Sequence, residues 1–205
     1  MFFYGIFLFF CAFKASAKET MHRIAKFLLW ILGWKLQGRV PEDQKYIIAV
    51  APHTSYWDFV IGRLVASVMR QNVHFLIKKE LFFFPYSLLL KALKAIPVNR
   101  NSPRAMIESV LQKMQGKKKF VLVVTPEGTR KKTNRWKKGF YFMANKVDIP
   151  ILPAAIDYDN KKVVLGHIIK PSNDAQADFE NLVSFYKFVN PEPRYSDQFA
   201  YPKNL

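Results

Sequence analysis

The sequence predicts an α/β layered domain, with a largely parallel sheet flanked by helices and an N-terminal membrane-associating helical segment in front of it. Three observations lead there. From about residue 45 short apolar runs alternate with longer amphipathic stretches, the rhythm of strand–helix–strand units. The clearest run, Phe120 to Val124, carries no polar alternation, as expected of a strand covered on both faces. Polar clusters then fall just after several runs, where parallel sheets open their ligand crevice. At 205 residues, half apolar and 16% aromatic, the chain has enough material for the core of one domain and is not of disordered composition.

Residues 1–13 are uncharged. As a helix they reach only about 20 Å, short of a hydrocarbon core of about 30 Å. Ala15-Ser16-Ala17 resembles an export-signal cleavage site, but no Lys or Arg precedes the apolar stretch. Met21 is an alternative start, which would make the first twenty residues an upstream extension. Met21 to Leu36 sets Phe27, Leu28, Leu29, Trp30, Ile31, Leu32 and Trp34 between flanking cations. That is the pattern of a helix lying in a membrane interface, or of an ordinary helix packed on the domain. Residues 1–36 are therefore expected to be a membrane-associating segment, and residues 37–205 the domain proper.

In the body, strands are predicted at 46–50, 73–77, 95–98, 120–124, 151–156 and 163–169. The helix after the first strand runs to about Arg70, and an apolar helix over 79–93 is broken near Pro85. Ser102 and Pro103 supply a cap and a first-turn proline for a helix that Gly116 ends. Residues 139–146 and 174–189 complete the helices. The apolar run Leu81 to Leu90 suits an acyl groove, a lipid contact or plain core.

The charge balance, 32 Lys and Arg against 15 Asp and Glu, leaves +17 and points to an anionic partner: nucleic acid, a phospholipid surface or an acidic carrier protein. Against nucleic acid, the aromatic residues sit in apolar runs instead of interleaving with cations on a strand platform. The single Cys11 excludes an intramolecular disulfide and a cysteine-cluster zinc site, and neither a metal nor a cofactor is expected.

Of the four histidines only His53 has a carboxylate five residues on, Asp58. Five helical steps separate side chains by about 140°, so a contact requires His53 in a loop and Asp58 in the first helical turn. There the aspartate can accept one ring N–H and leave the other nitrogen as a base. His74 and His167 interrupt apolar strand patterns and read as hydrogen-bonded sheet residues. The second cluster is Pro126-Glu127-Gly128-Thr129-Arg130. Its glycine allows close backbone approach, and Thr129 and Arg130 are phosphate donors. Arg100 ends the third strand at the same edge.

Together these residues resemble the glycerophospholipid acyltransferases, the lysophosphatidate acyltransferase superfamily, over about residues 45–160. His53-x4-Asp58 is similar to the family's first block, Ala95 to Arg100 to the second, Pro126 to Arg130 to the third and Ile149 to Ala154 to the fourth. Pro52 stands where asparagine is usual and Asn99 where aspartate is common. The resemblance implies transfer of an acyl group from an acyl-carrier protein or acyl-CoA thioester to a lysophospholipid, with 1-acyl-glycerol-3-phosphate the simplest acceptor. His53 would be the general base and Asp58 its partner. Arg100, Glu127, Gly128, Thr129 and Arg130 would hold the acceptor head group, and Ile151, Leu152 and Pro153 the acyl side. An anionic membrane surface would be a partner, with the protein peripheral on the cytoplasmic face.

Overall fold

The computed structural model describes residues 18–41, 45–99, 102–172 and 174–202. Seven strands form one sheet in the order β1-β7-β6-β2-β5-β3-β4. They are β1 (Lys35–Gln37), β2 (Lys45–Ala51), β3 (Val73–Lys78), β4 (Ala95–Val98), β5 (Phe120–Val124), β6 (Ile151–Asp157) and β7 (Lys162–Leu165). All neighbouring pairs are parallel except β6 with β7. The central strands β2 and β5 pair in register from Lys45 with Phe120 to Ala49 with Val124.

The period-two geometry of β2 splits its side chains between two cores. Ile47, Ala49 and Ala51 face α4 (Pro103–Met114), α5 (Gly139–Lys146) and α6 (Ala175–Val189). Tyr46 and Ile48 face the other way, where Ile61, Val65 and Ala66 of α2 (Trp57–Val68) and Leu29 of α1 (residues 18–31) cover the sheet. The chain thus leaves β2 toward one face and β5 toward the other. Adjacent strands whose connections diverge make a crevice at their carboxyl ends, and His53 and Glu127 follow those two ends.

Local signals explain the boundaries. Ser102 accepts the Ala105 N–H at the start of α4, and Asp174 accepts those of Gln176 and Ala177 at the start of α6. The helix expected over 21–36 stops at residue 31 instead. Gly33, at φ +77°, closes it with a Trp34 N–H bond back to Leu29 O. Lys35–Gln37 then pairs with β7 as an edge strand, so the N-terminal segment is joined to the sheet. Two further expectations are corrected. The 79–93 stretch is a single 3-10 turn at Lys79–Leu81 followed by α3 (Tyr86–Ala92), and no residue of either is buried. Plain core is therefore not its role. His167 is exposed in the loop after β7 and is not a sheet residue, whereas His74 lies buried in β3 against Val121 O.

α1 is half packed and half bare. Ala25 and Leu29, one turn apart, are its buried stripe, while Phe27, Trp30 and Ile31 are more than half exposed. Glu19 ties it to Arg70 at the end of α2. No helix among the described residues is long and apolar enough to cross a membrane.

Candidate active site

The loop after β2 turns His53 back toward the first turn of α2, as the five-residue spacing requires. His53 Nδ1 lies 3.0 Å from Asp58 Oδ2. Since a carboxylate only accepts, Nδ1 carries the proton and Nε2 is the basic nitrogen. The same Oδ2 accepts the Thr54 and Ser55 backbone N–H groups, each at 2.9 Å, and Oδ1 accepts the Tyr158 hydroxyl at 2.6 Å. Asp58 is 4% exposed and sits in the first turn of α2, where the helix dipole favours a negative group. Its orientation is over-determined, and it fixes the histidine. The imidazole itself is 23% exposed, so the site opens on its side.

Glu127 does not line the crevice as expected. It is 2% exposed, and its two oxygens take the His53 backbone N–H at 3.0 and 3.2 Å. It is a strut beneath the histidine. Burial pushes its carboxyl up to about 8; the Asp58 charge adds to the rise and the His53 N–H opposes it. A raised carboxyl binds its proton in the fold but releases it near 4.5 when unfolded, so its stabilisation is full below that and is lost as pH climbs through about 8. Glu127→Gln, which keeps the acceptor, is expected to flatten the fall in stability between about pH 5 and 8, measured by urea melts across that range. Glu127→Ala leaves a buried N–H unpaired and should cost about 1–3 kcal/mol.

Of the other expected head-group residues, Gly128 is exposed and Thr129 and Arg130 are partly exposed. Gly128 takes φ +67° in a turn closed by its N–H on Thr125 O, and a Cβ there would stand 3.1 Å from Lys137 Cγ. Thr129 Oγ1 accepts the Lys131 N–H. The Arg130 guanidinium lies 3.4 Å from the Tyr56 ring centroid, a stacked cation–π contact that holds it beside the His53 loop. Arg100 lies outside the described residues. Ile151, Leu152 and Pro153 are buried in the first half of β6, paired with Ile47, Ile48 and Ala49, away from the crevice end of the sheet.

Sequence reasoning missed the C-terminal segment. Tyr195 N–H donates to Thr54 Oγ1 at 3.3 Å, and Arg194 lies 5.3 Å from the Trp57 ring centroid and 5.8 Å from that of Tyr158. With its amide turned to donate, Gln198 bridges Thr54 O and Arg130 O, linking the two site loops. Tyr158 was missed as well; its only signal in the sequence is its place at the carboxyl end of a predicted strand. No group of three His, Cys, Asp or Glu among the described residues is placed to hold a metal ion.

The sequence profile of the acyltransferase family matches residues 34–157, which contain His53, Asp58, Glu127 and Arg130. The chain belongs to the acyltransferase family. Among relatives of this acyltransferase, a coconut (Cocos nucifera) 1-acyl-sn-glycerol-3-phosphate acyltransferase is 30% identical over 142 residues, 66% of this chain. The chain spans 45% of that relative's length. The crystal structure of the 1-acyl-sn-glycerophosphate acyltransferase PlsC from Thermotoga maritima shares the fold, with a TM-score of 0.61 at 21% identity over 95% of this chain and 90% of that one.

Proposed function

We propose that this acyltransferase moves a fatty acyl group from an acyl-carrier protein or acyl-CoA thioester to the free hydroxyl of a lysophospholipid, 1-acyl-glycerol-3-phosphate, giving phosphatidate. The observation that carries the reading is His53, held through Nδ1 by a buried carboxylate while its side chain stays 23% exposed. Nε2 takes the acceptor hydroxyl proton as that oxygen attacks the thioester carbonyl carbon. The tetrahedral intermediate then collapses, the C–S bond breaks, and the imidazolium returns the proton to the departing thiolate. No acyl-enzyme forms and no cofactor is needed. Asp58 stabilises the imidazolium while it exists.

Arg130 and Thr129 would hold the acceptor phosphate, with Arg100 a further donor by its motif position. Support for this part is the relative's stated activity and the placement of Arg130 beside the His53 loop. The test compares Arg130→Ala with the unaltered enzyme on lysophosphatidate and on a phosphate-free lysolipid. KM should rise about tenfold or more for the first and stay level for the second, because an exposed charged hydrogen bond to phosphate is lost only there. Equal losses on both acceptors would remove Arg130 from phosphate recognition.

Access to both substrates suits a peripheral position on the cytoplasmic face of an anionic membrane. Phe84 is 79% exposed and Leu88 61%, beside Lys78, Lys79 and Lys91, and α1 exposes Trp30 at 73%. Exposed apolar groups among cations are the composition of a lipid-contacting surface. Phe84→Ser with Leu88→Ser should weaken sedimentation with phosphatidylglycerol vesicles about tenfold or more and leave the melting temperature unchanged, since neither side chain is in the core. Unchanged sedimentation would remove α3 from the contact.

A further inference from the structure

Asp58 has a partner that none of the acyltransferase motifs supplies. Tyr158 follows β6 directly, and its hydroxyl donates to Asp58 Oδ1 at 2.6 Å, across 100 residues of sequence. That oxygen is the one His53 and the loop amides do not use. The tyrosine is itself held. Its ring meets Trp34 edge-on at 5.1 Å, and its backbone N–H donates to Glu192 O at 2.8 Å. Strand end, C-terminal segment and N-terminal segment therefore converge on one hydroxyl.

We infer that Tyr158 is a positioning residue for the reaction, the third member of a Tyr158–Asp58–His53 chain that sets both the orientation of the aspartate and the basicity of the histidine. The inference rests on His53 being the base. Two effects follow from one hydrogen bond. By occupying Oδ1 the hydroxyl keeps Asp58 from rotating Oδ2 off the imidazole. By drawing carboxylate charge toward itself it sets how much of that charge faces the imidazole. Burial, together with the Asp58 carboxylate, pushes the Tyr158 phenol well above its ordinary range, which leaves it a permanent donor. The charged and titratable groups around this chain are His53 on the loop, Glu127 after β5 and Arg194 above the Tyr158 ring. Arg194 also hydrogen-bonds the Tyr158 side chain, so removing the hydroxyl frees that guanidinium as well as Asp58 Oδ1, while Glu127 is untouched.

Tyr158→Phe deletes one oxygen and keeps the ring that packs on Trp34. The expected result has two readings. The acid limb of the kcat/KM profile moves to higher pH by about half a unit or more, and kcat falls about tenfold with KM little changed. The same shift should appear without turnover, as a higher titration midpoint for the His53 ring signal in NMR spectra of Tyr158→Phe, with His53→Gln used to assign the signal. The NMR reading separates the two claims. A raised midpoint in a protein whose parent shows no acyl transfer would keep the Tyr158–Asp58–His53 coupling but remove the proposed reaction, and with it the positioning role. An unmoved midpoint in a variant that melts like the parent would overturn the inference, whatever the activity.

Discussion

His53→Ala is expected to cut acyl transfer severely while the protein stays folded and still binds lysolipid. The expected loss in kcat is about 10²–10⁴-fold, the usual worth of a positioned general base. Its fold should survive because the side chain is 23% exposed and belongs to neither core cluster, while the backbone N–H that Glu127 accepts is untouched. The measurement is turnover of a long-chain acyl thioester with lysophosphatidate, beside a melting curve and vesicle binding of the same preparation. Activity that survives in the variant would mean that another group takes the proton.

Asp58→Asn should be nearly as damaging to turnover, and more informative. The carboxylate accepts from His53 Nδ1, Thr54 N, Ser55 N and Tyr158 hydroxyl. An asparagine can meet the same set: its oxygen faces the loop amides and the imidazole, and its NH2 turns to the Tyr158 oxygen, which then accepts. Geometry is kept and charge is removed. The imidazolium formed during transfer loses its counter-charge, and kcat is expected to fall about 10²-fold or more with little change in the melting temperature. Asp58→Ala differs in kind. It orphans two buried backbone N–H groups and should cost about 1–3 kcal/mol in stability for each. If the two variants lose activity equally, and only in proportion to their instability, the aspartate is holding the loop and not assisting the base.

The contrast between them also shows what a sequence carries. Local geometry set only the condition for a His53–Asp58 pairing, one residue before the helix and one in its first turn; the Pro126 to Arg130 cluster and the other blocks made the pairing worth expecting. The strands β2 to β6 were legible because a run such as Phe120–Val124, apolar at every position, has few other homes. β1 was not, since three residues reading Lys35-Leu36-Gln37 hold no pattern; only their partner β7 makes them a strand. Gly33 was the readable sign that the first helix ends early. Glu127 was assigned to the crevice only by its place in the Pro126 to Arg130 block that the resemblance carries. Its burial under His53 comes from β2 and β5 being neighbours, a long-range fact. Tyr158 is harder still, because its partner lies 100 residues away and no short motif joins them.

α3 gives the opposite lesson. Leu81 to Leu89 carry the composition of a core helix, yet none of that stretch is buried within this chain. Composition reports what a surface avoids, which is water, and leaves open whether protein or lipid takes its place. β4 is last in the sheet, and among the described residues no further strand lies beyond it.

The central claim is that this crevice acylates a lysolipid bearing a phosphate, and initial rates test it most directly. The enzyme would be given a long-chain acyl thioester with lysophosphatidate, and in parallel with a monoacylglycerol of the same chain, on anionic vesicles. Phosphatidate is the expected product, formed at least tenfold faster than diacylglycerol and lost with His53→Ala. Equal rates on the two acceptors, or no transfer to either by a folded, vesicle-bound protein, would contradict it.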